Sequence, residues 1–131
     1  MSESAIAVRI SAASPEADLS AAVWPGVASV TYPRVETPLQ IQQADTCVAR
    51  LERLRGIRPG HVEIQPVIES TRGLTRVREI GESSRRVHAM GVGPGLTLEI
   101  GDDALEYARA ECELHARALG IMPLDPFLPH D

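Results

Sequence analysis

Charged residues suited to holding anions or hard cations stand just beyond short apolar runs in this sequence. Arg9 lies near the end of IAVRI (6–10), Arg34 and Glu36 follow VASVTYP (27–33), and Glu69 ends HVEIQPVIE (61–69). Asp125 closes IMPLDP (121–126), and a glycine turn, Gly91-Val92-Gly93-Pro94-Gly95, closes VHAMGV (87–92). In α/β folds ligands bind outside the carboxyl ends of the strands, where these residues would lie. Arginine there grips a carboxylate with a planar fork of N–H donors. One or two carboxylates there suffice for magnesium, which prefers oxygen ligands and keeps several waters. The same residues also read as ordinary charges on surface loops, and residue types alone leave both readings open.

Other chemistries find less support. The glycine turn is neither a G-x-G-x-x-G fingerprint nor a Gly-Lys-Ser/Thr phosphate loop. It reads as a tight turn, with a carboxylate or phosphate contact through its backbone N–H groups as the functional option. His61, His88, His115 and His130 are scattered without an H-E-x-x-H pair, so zinc is not expected. His88 reads as a core or edge histidine. Ser70, Ser83 and Ser84 sit in no G-x-S-x-G elbow. All 13 basic residues are arginine, so no lysine of this sequence can form a Schiff base. Trp24, Tyr32 and Phe127 are too few and too separated to stack nucleic-acid bases. The Arg85-Arg86 pair and the run Arg50, Arg53, Arg55, Arg58, diluted by Glu52, read as solvated faces.

The elements that must position these residues alternate. Ser14-Pro15 opens a short helix that stops before Pro25-Gly26, with Ser14 as N-cap. Thr37-Pro38-Leu39-Gln40 is a capping box, and the helix behind it places Ile41, Ala44, Val48, Leu51 and Leu54 on one face. A polar helix is expected over Leu74–Glu82. The last is expected to start near Asp102 or Asp103 and to end at Leu119, with Gly120 as C′ residue. Five short strands alternating with helices predict a parallel sheet with right-handed crossovers. Glu99 and Asp102 fall in the loop before the last helix.

The 131 residues, 14.1 kDa in mass, suit one domain over residues 1–131, and the 44% hydrophobic content supplies a core. A formal net charge of -5 argues against a nucleic-acid partner. No apolar run approaches the ~20 residues of a membrane span, and MSESAIAVRI does not read as a signal peptide. Cys47 and Cys112 read as buried thiols of a cytoplasmic protein, with a single bridge left open.

The order of these motifs resembles the HpcH/HpaI aldolase and citrate lyase superfamily, in its citrate lyase beta-subunit and CoA-ester lyase branch. Ile68-Glu69-Ser70, Gly73-Leu74 and Glu79-Ile80 carry the most specific match. Val8-Arg9-Ile10 is similar to the family's Val-Arg-Ile-Asn strand, with Ser11 in place of asparagine. Tyr32-Pro33-Arg34-Val35-Glu36 is similar to its Pro-Lys-Val-Glu strand end, and residues 105–125 to its late helix and Ala-Ile-Asp strand. The resemblance implies a magnesium-dependent carbon-carbon lyase or aldolase acting on an acyl-CoA ester or a 2-oxo acid. It implies Arg9 as the catalytic and substrate-orienting arginine. Glu69 matches a metal ligand and substrate contact, and Glu36 and Asp125 are the further carboxylates available.

Two departures accompany it. Pro94 stands where the family has its second metal-ligating aspartate, and proline offers no ligand atom. The family fold is a TIM barrel of eight strands and about 250 residues, of which this sequence supplies about five strands, the third to the seventh. Such an arc is expected to leave apolar interior side chains facing water, at about 25 cal/mol per Å². Its bare edges are expected to pair with a second copy or a partner chain. The rival to a lyase is therefore a non-catalytic remnant or accessory subunit joined through those edges. A third reading is a small metabolite-binding protein without chemistry.

Overall fold

Apolar residues at alternating positions form strands here, and apolar residues at helical spacing form the helices between them. The computed structural model describes residues 6–124. In chain order the elements are β1 (Ile6–Arg9), α1 (Pro15–Ala22), β2 (Val27–Tyr32), α2 (Pro38–Leu54) and β3 (Glu63–Ile68). They continue with α3 (Thr71–Thr75), α4 (Val77–Glu82), β4 (Ala89–Val92), a 3-10 turn (Pro94–Leu96), α5 (Thr97–Leu119) and β5 (Met122–Leu124). The sheet runs β1-β2-β3-β4-β5, and every neighbouring pair is parallel. This is the α/β class with parallel β/α units that the alternation predicts.

Local signals place the boundaries. The capping box forms: Thr37 Oγ1 accepts from Gln40 N at 3.4 Å, and Gln40 Oε1 accepts from the N–H groups of Thr37 at 3.0 Å and Glu36 at 2.7 Å. Gly120 takes φ 76°, the left-handed turn that ends α5. Ser14 occupies the N-cap of α1 without a side-chain bond, so Pro15 alone marks that start. Leu54 is 70% exposed, because the apolar face of α2 ends at Leu51. The polar helix expected over 74–82 is two short helices meeting at Arg76. The expected start at Asp102 or Asp103 falls just after a break inside α5: Gly101 has φ 77° and ψ 169°, and the helix already has a first turn from Thr97.

The helices cover one face of the sheet. Ile10, Val30, Tyr32, Ile64, Ile68, Met90 and Val92 pack there against Leu19, Ile41, Val48, Leu51, Val77, Ile80, Ala108, Cys112 and Ala116. Alternation sends the intervening residues to the other face. That set is Ala7, Arg9, Ser29, Thr31, Glu63, Gln65, Val67, Glu69, Ala89 and Gly91, joined by Met122 and Leu124, the register partners of Ala89 and Gly91 on β5. The expected load of water-facing apolar side chains is confined to β5 on this face, where Met122 is 64% exposed; the rest is polar or small, and the buried Val67 and Ala89 lie outside the main apolar cluster. The cost at about 25 cal/mol per Å² applies to little surface here.

Candidate functional site

Glu69 is the first residue past β3, and its odd-numbered position sends its side chain to the uncovered face, the face that also receives Arg9 from β1. The two meet: Arg9 Nη2 lies 3.5 Å from Glu69 Oε2. Between them β2 presents Thr31, in register with Arg9 on one side and with Gln65 on the other. The pair is asymmetric. Glu69 is 7% exposed, whereas the Arg9 side chain is 53% exposed.

The glycine turn closes over the carboxylate. Gly95 donates its N–H to Glu69 Oε1 at 3.2 Å, and Gly93 donates to the Ile68 carbonyl at 2.8 Å. A Cβ on Gly93 would stand 2.7 Å from Glu69 Cγ and 2.6 Å from Val67 Cγ1, and one on Gly95 would stand 3.1 Å from Glu69 Cβ. Only glycine lets this turn lie so close. The carboxylate contact open to the turn in the sequence is therefore made, within the chain, to Glu69. Glu69 Oε2 is buried and accepts no hydrogen bond. At 3.5 Å Arg9 gives it a Coulombic partner only.

Loops from the neighbouring strands complete the mouth. Arg34 is exposed and holds φ 57°, an uncommon conformation for a residue with a Cβ. Val35 then donates to the Val67 carbonyl at 3.2 Å, which ties the loop after β2 to the end of β3. Sequence position places Glu99 in a loop, but it lies in the first turn of α5. Its Oε1 accepts from Thr71 N at 2.8 Å and Thr71 Oγ1 at 2.9 Å. The Thr71 backbone bond, the Thr71 hydroxyl bond and the Arg34 charge together hold its carboxyl below the usual range. Spacing gave no signal for this contact, because the residues are 28 positions apart.

Among the other predicted residues, Glu36 is half-buried at the start of α2, and its carboxylate makes no hydrogen bond or ion pair among the described residues. Asp125 lies outside the described residues. His88 is exposed at the mouth's opposite end, with Nδ1 3.3 Å from Glu63 Oε2, and is not a core histidine. Cys47 and Cys112 are buried free thiols. No group of three metal-ligating side chains occurs among the described residues. Among the described residues the only carboxylate at the mouth with a vacant buried oxygen, Glu69, has that oxygen beside a guanidinium, and Pro94 adds no donor. What the described residues offer a magnesium ion at the mouth is thus the Glu69 oxygen, which already faces a guanidinium, and the rest of its octahedral oxygen shell would have to come from elsewhere. Open grooves of about 420 and 450 Å³ lie among the helices, and neither is lined by Arg9, Arg34 or Glu69.

The amino-terminal end of the sheet is built for cohesion. Arg86 is 7% exposed, not solvated as its pairing with Arg85 suggested. Its Nη1 and Nη2 each donate to Glu52 at 2.8 Å, its Nε donates to Asp45 at 2.6 Å, and Nη1 also reaches the Val62 carbonyl at 3.0 Å. Glu52, 1% exposed, further accepts from the N–H groups of Gly60 and Val62. Burial alone would raise the Glu52 carboxyl; the Arg86 bonds and the two N–H groups outweigh it and leave it lowered.

An arginine–carboxylate pair at the carboxyl ends of parallel strands is a feature of many α/β sites, so comparison decides the lineage. The HpcH/HpaI aldolase/citrate lyase family matches residues 1–130. The chain belongs to that family. It is 30% identical over 115 residues to citrate lyase subunit beta of Escherichia coli K12, covering 82% of this chain and 38% of that protein. The corresponding Haemophilus influenzae subunit is 28% identical over 115 residues, with 82% and 40% covered. The chain thus spans about 40% of the length of the curated relatives it matches. A solved HpcH/HpaI aldolase/citrate lyase family protein from Burkholderia cenocepacia superposes with a TM-score of 0.68 at 18% identity, over 89% of this chain and 56% of that one. The five parallel β/α units therefore form part of a TIM-type barrel.

Proposed function

We propose that this chain carries the substrate-anchoring part of a carbon-carbon lyase or aldolase-type site, acting on an acyl-CoA ester or a 2-oxo acid. The observation that carries the reading is the buried Glu69 carboxylate 3.5 Å from the half-exposed Arg9 guanidinium at the carboxyl end of the sheet. Glu69 and the Gly95 N–H fix one another, and Glu69 in turn orients Arg9. The half-exposed guanidinium has further N–H donors, which suit a carboxylate or a ketone oxygen. Cleavage of a carbon-carbon bond beside a carbonyl leaves an enolate, and a fixed cation at its oxygen lowers that barrier. A lysine of this chain cannot supply the alternative Schiff base, since all its basic residues are arginine.

Magnesium, which the family resemblance implies, would polarise the carbonyl when bound. Glu69 would give it one oxygen, and further donors would have to come from outside the described residues. The relatives' similarity supports a lyase, and a cytoplasmic setting fits two free buried thiols. No helix of the described residues is long and apolar enough to cross a membrane. A second reading, an accessory chain that pairs with a copy or a partner, is favoured by one observation. Within the described sheet β1 and β5 each pair on one side only, and Ile6 and Met122 on them are 50% and 64% exposed.

Isothermal titration of the full chain with oxaloacetate, with and without millimolar magnesium, tests the first reading, beside light-scattering mass for the second. Wild type should bind, and Arg9→Met and Glu69→Gln should each weaken binding by about tenfold or more, the scale of a lost charge-assisted contact. Absence of heat from wild type under both conditions refutes the anchoring role. A folded monomer at all concentrations refutes association through the edges.

A further inference from the structure

Glu99 has no part in the anchoring pair, yet the segment that carries it holds the end of β3 at three successive points. Gly93 N–H meets the Ile68 carbonyl at 2.8 Å, Gly95 N–H meets Glu69 Oε1 at 3.2 Å, and Glu99 Oε1 accepts both donors of Thr71 at 2.8 and 2.9 Å. Thr71 opens α3, two residues beyond Glu69. The segment is anchored below by Leu96, which is fully buried, and bounded above by Gly101. The φ 77° and ψ 169° of Gly101 fall in a region open essentially to glycine. That break lets the first turn of α5 lean on α3 instead of following the axis of the helix beyond. Glu99 thus joins the segments that follow β3 and β4.

We infer that Glu99 is a positioning residue: clasped to Thr71, it fixes the main chain after Glu69 and so sets the Glu69 carboxylate against Arg9. The consequence for ligand binding rests on the anchoring role proposed above, whereas the clasp stands on its own contacts. Glutamine at position 99 keeps an oxygen acceptor for Thr71, and alanine removes it.

The test is a pair of measurements on the full chain. In amide nitrogen–proton spectra Glu99→Ala should move the Gly95 and Thr71 resonances, and oxaloacetate binding should weaken by about tenfold, the size of one charge-assisted hydrogen bond. Glu99→Gln should leave Gly95 in place and binding near wild type. An unmoved Gly95 resonance in folded Glu99→Ala overturns the inference, as does a Glu99→Gln spectrum shifted as far as the alanine one. Should Glu99→Ala not fold, Glu99→Asp, whose side chain is one methylene shorter, must displace Gly95, and an unmoved resonance there overturns it equally. If wild type does not bind oxaloacetate, the anchoring role fails while the spectra still decide the clasp.

Discussion

Replacing Arg86 by alanine should be the most damaging single change at the amino-terminal end of the sheet. The substitution deletes two 2.8 Å bonds to Glu52, one of 2.6 Å to Asp45 and one of 3.0 Å to the Val62 carbonyl. It leaves Glu52, 1% exposed, with only the N–H groups of Gly60 and Val62 as partners. Removing one member of a buried ion pair costs about 3–5 kcal/mol, because the remaining charge stays desolvated. Against a total stability of about 5–15 kcal/mol that is roughly a fifth of the fold's reserve or more. With a urea slope of about 1–3 kcal/mol per molar, the unfolding midpoint should fall by roughly 2 M. Equilibrium urea unfolding at pH 7, followed by far-UV circular dichroism, measures it. The cycle with Glu52→Gln should show strong non-additivity, since the pair shares one network. A loss below about 1 kcal/mol, the value of a surface ion pair, would refute the reasoning.

The same network predicts acid sensitivity. The folded Glu52 carboxyl lies below its ordinary value, so its stabilisation is complete above that value and is lost as pH falls through the folded one. Urea midpoints taken from pH 7 down to pH 3 should therefore fall more steeply for wild type than for Glu52→Gln; parallel curves would exclude Glu52 as the source. Gly101→Ala should cost about 1–3 kcal/mol in thermal unfolding, because φ 77° with ψ 169° strains any residue with a Cβ. An unchanged melting temperature would mean that the break in α5 is absent in solution. Burial pushes the Cys112 thiol up to about 12, with the Glu113 charge adding to it. Iodoacetamide at pH 8 should leave Cys112 unmodified in folded protein and label it in urea, as peptide mass mapping would show; rapid native labelling would contradict its burial.

What the sequence settled was local. The Thr37–Gln40 box, the Gly120 stop and the apolar spacing of α2 act between residues a few positions apart, so their bonds can be read directly from the chain. The alternation of runs then fixed the class of sheet, because parallel neighbours require crossovers. The family resemblance, not spacing, singled out Glu69 and Arg9. What residue types alone could not settle was which charges are buried and which meet. Arg86 looks like any surface arginine until a helix 34 residues earlier supplies Glu52. Glu99 looks like a loop charge until Gly101 turns it onto Thr71, and Arg9 looks free until the sheet lays it across from Glu69. Such pairings depend on distance through space, and only the packed chain brings together charges that the sequence keeps apart.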